Sequence, residues 1–144
     1  MVSASIILPT YNERENISVL IPQLSKILKD NNIEYEIIVV DDNSPDKTWA
    51  KAQELSRDYP VRVFVRKKER GLSSAIIYGA RRARYENIVV MDADLQHPPV
   101  YVPDIIRRLE KECELVVASR YMEGGGVSGW SMFRLFESKV ALWI

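Results

Sequence analysis

Two aspartates one residue apart, Asp92-Ala93-Asp94, follow directly on the apolar run Asn87 to Met91. Carboxylates at that spacing on a turning backbone can converge on a hard divalent cation, and Gln96 places an amide oxygen beside them. Mg²⁺ or Mn²⁺ held by one or two carboxylates completes its shell with water and phosphate oxygens, so the pair points to a diphosphate ligand. The plainer alternative is a solvated turn whose Asp caps the next helix. The position at the end of a buried run, with Gln96-His97-Pro98-Pro99 adjoining, favours the metal. Asp41-Asp42 closes a second apolar run, Glu34 to Val40. A carboxylate there can accept from a nucleobase N–H or a ribose hydroxyl. It can equally cap the helix expected from Pro45, and one of the two is expected to do so. Tyr11 and Glu13 follow the first run, Val2 to Leu8, and offer a stacking surface and an acceptor; for Tyr11 a packing role is the alternative.

Near the C-terminus, Phe133, Phe136, Val140, Trp143 and Ile144 fall on one face of an expected helix, Trp130 to Ile144, while Arg134 and Ser138 fall together on another. A guanidinium and a hydroxyl at i, i+4 can hold one phosphate. The apolar face beside them suits a lipid surface or a prenyl chain, or else packs on the domain body. The chain stops inside this pattern without capping residues, so it is expected to be a truncated piece.

Missing features narrow the chemistry further. No G-x-G-x-x-G turn and no G-x-x-x-x-G-K-[ST] loop occurs, so phosphate charge must be met by a cation and by arginines. His97 is the only histidine, which excludes a His-rich zinc site and argues against a Ser-His-Asp triad. Cys113 is the only cysteine, which rules out an internal disulfide and fits a reducing compartment. Twenty Lys+Arg balance 20 Asp+Glu, which argues against a nucleic-acid binder working by bulk phosphate neutralisation. The basic run Arg66, Lys67, Lys68 and Arg70 reads as a solvated strand end, with contact to a small anionic ligand as the alternative. No apolar run approaches the ~18–20 residues that cross a bilayer, and no signal pattern opens the chain.

The elements that must position these groups alternate. Val2 to Leu8, Glu34 to Val40, Val61 to Val65, Asn87 to Met91 and Glu114 to Ala118 read as strands, apolar on consecutive positions as in sheets covered on both faces. Ile17, Leu20, Ile21, Leu24, Ile27 and Leu28 keep helical spacing, as do Val102, Ile105, Ile106 and Leu109. Pro22 must then sit within the first turns or kink its helix. Pro45 to Asp58, with Ser44 as N-cap, and Gly71 to Arg84 complete the series. At 144 residues and 47% hydrophobic, this predicts one α/β domain, a mostly parallel sheet with helices on both faces. Ligands of such sheets gather beyond the carboxyl ends of the strands, where the polar segments above cluster.

Ile7-Leu8-Pro9-Thr10-Tyr11-Asn12-Glu13-Arg14-Glu15-Asn16, Val39-Val40-Asp41-Asp42-Asn43-Ser44-Pro45-Asp46, Gly71-Leu72-Ser73-Ser74-Ala75, Val90-Met91-Asp92-Ala93-Asp94-Leu95-Gln96-His97-Pro98-Pro99 and Ser119-Arg120-Tyr121 carry a family likeness. In order and spacing they resemble the dolichol-phosphate (polyprenyl-phosphate) mannosyltransferases, inverting GT-A glycosyltransferases of the family 2 type. The resemblance covers nearly the whole chain. It implies a GT-A, Rossmann-like core over residues 1–122 that binds a nucleotide sugar, followed over 123–144 by a Gly-rich joint and an amphipathic helix serving acceptor and interface. It further implies that Pro9, Tyr11, Glu13, Val40 and Asp42 surround the guanosine of GDP-mannose. Asp92, Ala93, Asp94 and Gln96 would meet metal, diphosphate and sugar, with Asp92, Asp94 and Gln96 as the metal ligands. Arg120 would face the phosphates, with Asp94 and Arg120 as the catalytic pair, and Arg134 and Ser138 would hold the acceptor phosphate. Family chains continue beyond the position of Ile144.

The activity so implied is metal-dependent transfer of mannose from GDP-mannose to dolichyl or polyprenyl phosphate with inversion. It needs no general base, because a phosphate monoester with second pKa of about 6 is largely dianionic near neutrality. Alternatives are a polyprenyl-phosphate glucosyltransferase using UDP-glucose, a non-catalytic nucleotide-sugar-binding subunit, and a haloacid-dehalogenase-like phosphatase, against which Leu95-Gln96 after the acid pair argues. A cytosolic donor and a lipid acceptor place the protein peripherally on the cytoplasmic membrane face.

Overall fold

Strands and helices alternate from the first residues of the computed structural model, which describes residues 1–111, 115–118, 127–129 and 139–143. The order is β1 (Ser3–Thr10), α1 (Arg14–Asp30), β2 (Glu34–Asp41), α2 (Thr48–Leu55), β3 (Val61–Val65), α3 (Leu72–Arg82), β4 (Asn87–Val90), a 3-10 turn (Pro99–Tyr101) running into α4 (Val102–Lys111), then β5 (Leu115–Ala118), β6 (Val127–Gly129) and β7 (Lys139–Trp143). All join one sheet in the order β3-β2-β1-β4-β7-β5-β6. Every pairing in it is parallel except β5 with β6.

Period-two alternation along the strands sorts side chains into two layers. Ala4, Ile6 and Leu8 of β1 and Ile37 and Val39 of β2 share a core with Ile17, Leu20, Leu24 and Leu28 of α1 and with Val102, Ile105, Ile106 and Leu109 of α4. Their neighbours Ile7, Ile38 and Val40 face the other way, with Ile88, Val90 and Ala75 of α3. Each fully buried leucine or isoleucine contributes about 1.5–3 kcal/mol of transfer free energy, which is why runs apolar on both faces commit to the sheet's centre. Pro22 lies inside α1, well past its first turn, and forgoes the bond to the Ser18 carbonyl there.

The expected C-terminal helix is corrected where the structure describes it. Lys139–Trp143 form β7, which runs parallel between β4 and β5, so Val140 and Trp143 are strand residues. Val127–Gly129, expected in the joint, pair with β5. Residues 130–138, with the remainder of the expected helix, lie outside the described residues. Among the described residues no helix is long and apolar enough to cross a membrane.

Candidate functional site

Because β1, β2, β3 and β4 are mutually parallel neighbours, their carboxyl ends and the segments that follow share one edge of the sheet. At the end of β2 the two consecutive aspartates do different work. Asp41 is fully buried and accepts from Thr10 Oγ1 at 2.7 Å, Ser44 Oγ at 2.6 Å and Ser44 N at 2.9 Å. Ser44 Oγ in turn accepts from Asn12 N at 2.9 Å, which laces the turn after β1 to the turn after β2. Asn12 and Asn43 take left-handed backbone conformations, which asparagine tolerates better than most residues.

Neither aspartate caps α2, and nor does Ser44. The N-cap position is Lys47, and the residue before it, Asp46, reaches the helix: its Oδ1 accepts from Thr48 N at 2.9 Å and from Thr48 Oγ1, while its Oδ2 accepts from Arg14 N at 3.2 Å, the first residue of α1. One carboxylate thus sits at two helix N-termini, where partial positive charge favours it. Burial alone would raise the Asp46 carboxyl. The hydrogen bonds from Thr48 and Arg14 and the Arg14 charge outweigh it and hold the group below the usual carboxylate range.

Asp42 points to the other side of the strand and is gripped by Arg66. Nε donates to Oδ1 at 2.7 Å and Nη2 to Oδ2 at 3.0 Å, and Gly71 N adds a bond to Oδ2 at 3.1 Å. A cleft of about 310 Å³ opens beside this pair, lined by Pro9, Thr10, Tyr11, Asp42, Arg70, Gly71, Leu72 and Ala75. Across it the Arg70 guanidinium lies 5.4 Å from the centroid of the Tyr11 ring. Aromatic face, cation and carboxylate are the kinds of group that grip a nucleobase.

Of the expected base-site residues, Pro9, Tyr11 and Asp42 line the cleft. Val40 is buried with Ile7, Ile38 and Ala75 and does not line the cleft. Glu13 does not line the cleft; its Oε2 accepts from Asn16 Nδ2 at 2.6 Å and its N–H donates to Thr48 Oγ1 at 3.0 Å. Arg66, assigned by sequence to a solvated basic run, is 4% exposed. The strand register carried a signal for it. Asp41 pairs with Val65, so the next residues, Asp42 and Arg66, are opposite charges at equivalent strand ends.

The acid pair stands at the end of β4, the neighbour of β1 on the side away from β2. Met91 N donates to Ile7 O at 3.2 Å, and continuing that register brings Asp92 beside Pro9. Asp92 is 52% exposed, Ala93 is buried between the two acids, and Asp94 Oδ1 accepts from Gln96 N at 3.0 Å across the left-handed Leu95. The buried His97 places Nε2 3.9 Å from Asp92 Oδ2. Gln96 is exposed on the same turn. No group of three or more acidic, His or Cys side chains gathers among the described residues. Among the described residues a cation here would rest on the two carboxylates of Asp92 and Asp94 and draw its remaining oxygens from ligand and water. That is a donor set Mg²⁺ and Mn²⁺ accept and Zn²⁺ sites seldom use. Arg120, Arg134 and Ser138 lie outside the described residues.

Known proteins share this arrangement of sequence and fold. The model of glycosyl transferase family 2 matches residues 5–142. The chain belongs to glycosyl transferase family 2. Within it, the chain is 50% identical over 140 residues to a dolichol-phosphate mannosyltransferase of Pyrococcus furiosus, covering 97% of this chain and 39% of that protein. A dolichol-phosphate mannosyltransferase of Mycosarcoma maydis is 41% identical over 147 residues, covering 96% and 49%. The family 2 domain here thus spans half or less of the length of these relatives. Among solved structures, the mannosyltransferase PcManGT of Pyrobaculum calidifontis, in complex with GDP-mannose and Mn²⁺, superposes with a TM-score of 0.66 at 24% identity, covering 81% of this chain and 34% of that one. At that identity the likeness supports the GT-A type of α/β fold, as expected from sequence.

Proposed function

We propose that this family 2 domain binds GDP-mannose and serves the transfer of mannose, with inversion, to the phosphate of a dolichyl or polyprenyl lipid. The observation that carries the proposal is the side-by-side placement of the Tyr11–Asp42 cleft and the Asp92-Ala93-Asp94 turn, one on each flank of the β1 end. The names of the relatives at 50% and 41% identity support the acceptor and the sugar. In this arrangement Asp42 accepts from the base, Tyr11 and Arg70 face it, and the diphosphate crosses from the cleft toward Asp92 and Asp94. Asp92 and Asp94, with Gln96 adjacent, would hold a divalent cation, which would supply charge stabilisation for the departing diphosphate. Arg120 is proposed to meet the same phosphates, and Arg134 with Ser138 the acceptor phosphate. No side chain is asked to abstract a proton, because the acceptor is already anionic. A lipid acceptor also calls for a peripheral place on a membrane surface, proposed to be its cytoplasmic face.

The deciding experiment is a competition between GDP and UDP for the purified chain, with Mn²⁺ and then Mg²⁺ present. Preference for GDP supports the mannosyl donor. Preference for UDP moves the assignment to a glucosyl-type donor, and no metal-dependent binding of either nucleotide overturns it.

A further inference from the structure

We infer that Arg66 is a positioning residue for base recognition, one that acts through Asp42 and Gly71 rather than by touching the ligand. The inference rests on the donor-site reading above and adds to it a group that sets the selectivity of the cleft.

The Arg66 side chain is 2% exposed, and four of its five N–H groups donate hydrogen bonds inside the protein. Nε and Nη2 hold the two oxygens of Asp42, Nη2 also donates to Gly71 O at 3.0 Å, and Nη1 donates to Ser74 Oγ at 2.9 Å. The exposed Glu69 lies 3.5 Å from Nη1. Arg66 is not among the residues that line the cleft, and four of its five N–H groups are already donated to Asp42, Gly71 and Ser74, so its role there runs through those partners. What it fixes are two cleft walls at once. Gly71 enters α3 with φ +121°, a conformation side-chain-bearing residues rarely adopt, and both its N–H and its carbonyl are tied to the Arg66–Asp42 pair. A carboxylate presents about four acceptor positions, and three of those on Asp42 are occupied by Arg66 and Gly71. The remaining one is held at a fixed place on the cleft wall. A freely rotating aspartate would offer base donors several arrangements; this one offers a single acceptor edge. Lysine cannot substitute, because a single ammonium lacks the planar fork that grips both oxygens and Gly71 together.

The test compares wild type with Arg66→Lys by titration calorimetry in Mn²⁺, using GDP and, separately, inorganic pyrophosphate, which lacks a base. Thermal unfolding of each protein confirms that it is folded. The expected result is a loss of GDP affinity of about tenfold or more, with pyrophosphate affinity kept within about twofold. Equal GDP affinity in the two proteins overturns the inference. Parallel loss of both ligands also overturns it, since that is the mark of a merely structural residue. Were Arg66→Lys to unfold, Ser74→Ala removes one anchor of the guanidinium and is expected to give the same base-selective loss at about threefold; its absence overturns the inference equally. Wild-type protein that binds pyrophosphate but not GDP leaves the metal turn standing and rejects the base cleft itself, and with it the role of Arg66.

Discussion

Thr10 and Asp41 meet across the first strand pair, hydroxyl Oγ1 to carboxylate Oδ1 at 2.7 Å, with 4% and 0% of their surface exposed. The contact joins two strand ends that both lead into the cleft, and a buried carboxylate is tolerable there because Ser44 supplies two further donors. Asp41→Ala strands three donors at once and is expected to destabilise the domain by about 3 kcal/mol. Thr10→Val removes one donor and leaves Asp41 with two, for a loss of about 1 kcal/mol. Urea unfolding of the two variants against wild type checks both values and their order.

Asp94→Ala is expected to abolish metal-dependent GDP binding while shifting unfolding by less than about 1 kcal/mol, because the side chain supports only the exposed Gln96 turn. Titration calorimetry in Mn²⁺ reads the first effect and denaturant unfolding the second. Unchanged GDP affinity would remove the acid pair from the donor site.

Asp46 makes stability depend on acid. Its carboxyl is held below the usual range in the folded chain. It therefore adds stability above the unfolded-state pKa of about 4, and that contribution is lost as pH falls through the lower folded value. Asp46→Asn should be less stable than wild type at pH 7, and the gap should narrow steadily in the acid range below the unfolded-state pKa. Denaturation midpoints measured in both proteins across that range check the sign. A gap independent of pH would mean the two helix N-termini do not depend on the charge.

Gly79 sits where α3 crosses β1, and a Cβ built there would lie 2.8 Å from Ile7 Cγ2. Ile7 is fully buried and β-branched, so its methyl cannot swing aside cheaply. Gly79→Ala gains about 1 kcal/mol of helix propensity and loses about 1–3 kcal/mol to overpacking, leaving a net destabilisation of about 1 kcal/mol. Substituting Ile7→Val in the same chain should recover part of that loss by relieving the contact, which thermal unfolding can measure.

Much of the α/β alternation was legible along the chain because local periodicity answers to burial. Ile88, Val89 and Val90 are apolar at consecutive positions where both faces are covered, and Leu20, Leu24 and Leu28 repeat at helical spacing where one face is. The same logic placed Pro9, Tyr11, Asp42, Asp92 and Asp94 after strands that the fold makes neighbours. Three assignments depended on partners distant in sequence. Asp41 and Asp42 are the same residue type at adjacent positions, and only the strand's alternating faces send one into the Thr10–Ser44 network and the other to Arg66. Arg66 belongs by composition to a solvated basic run, and it is buried because Asp42, Gly71 and Ser74 supply acceptors for a charge that could not otherwise leave water. Lys139–Trp143 carries too short an apolar stretch for its period to separate strand from helix. Strand was decided by the hydrogen-bonding edges of β4 and β5, between which it lies, and no pattern within those five residues encodes that company.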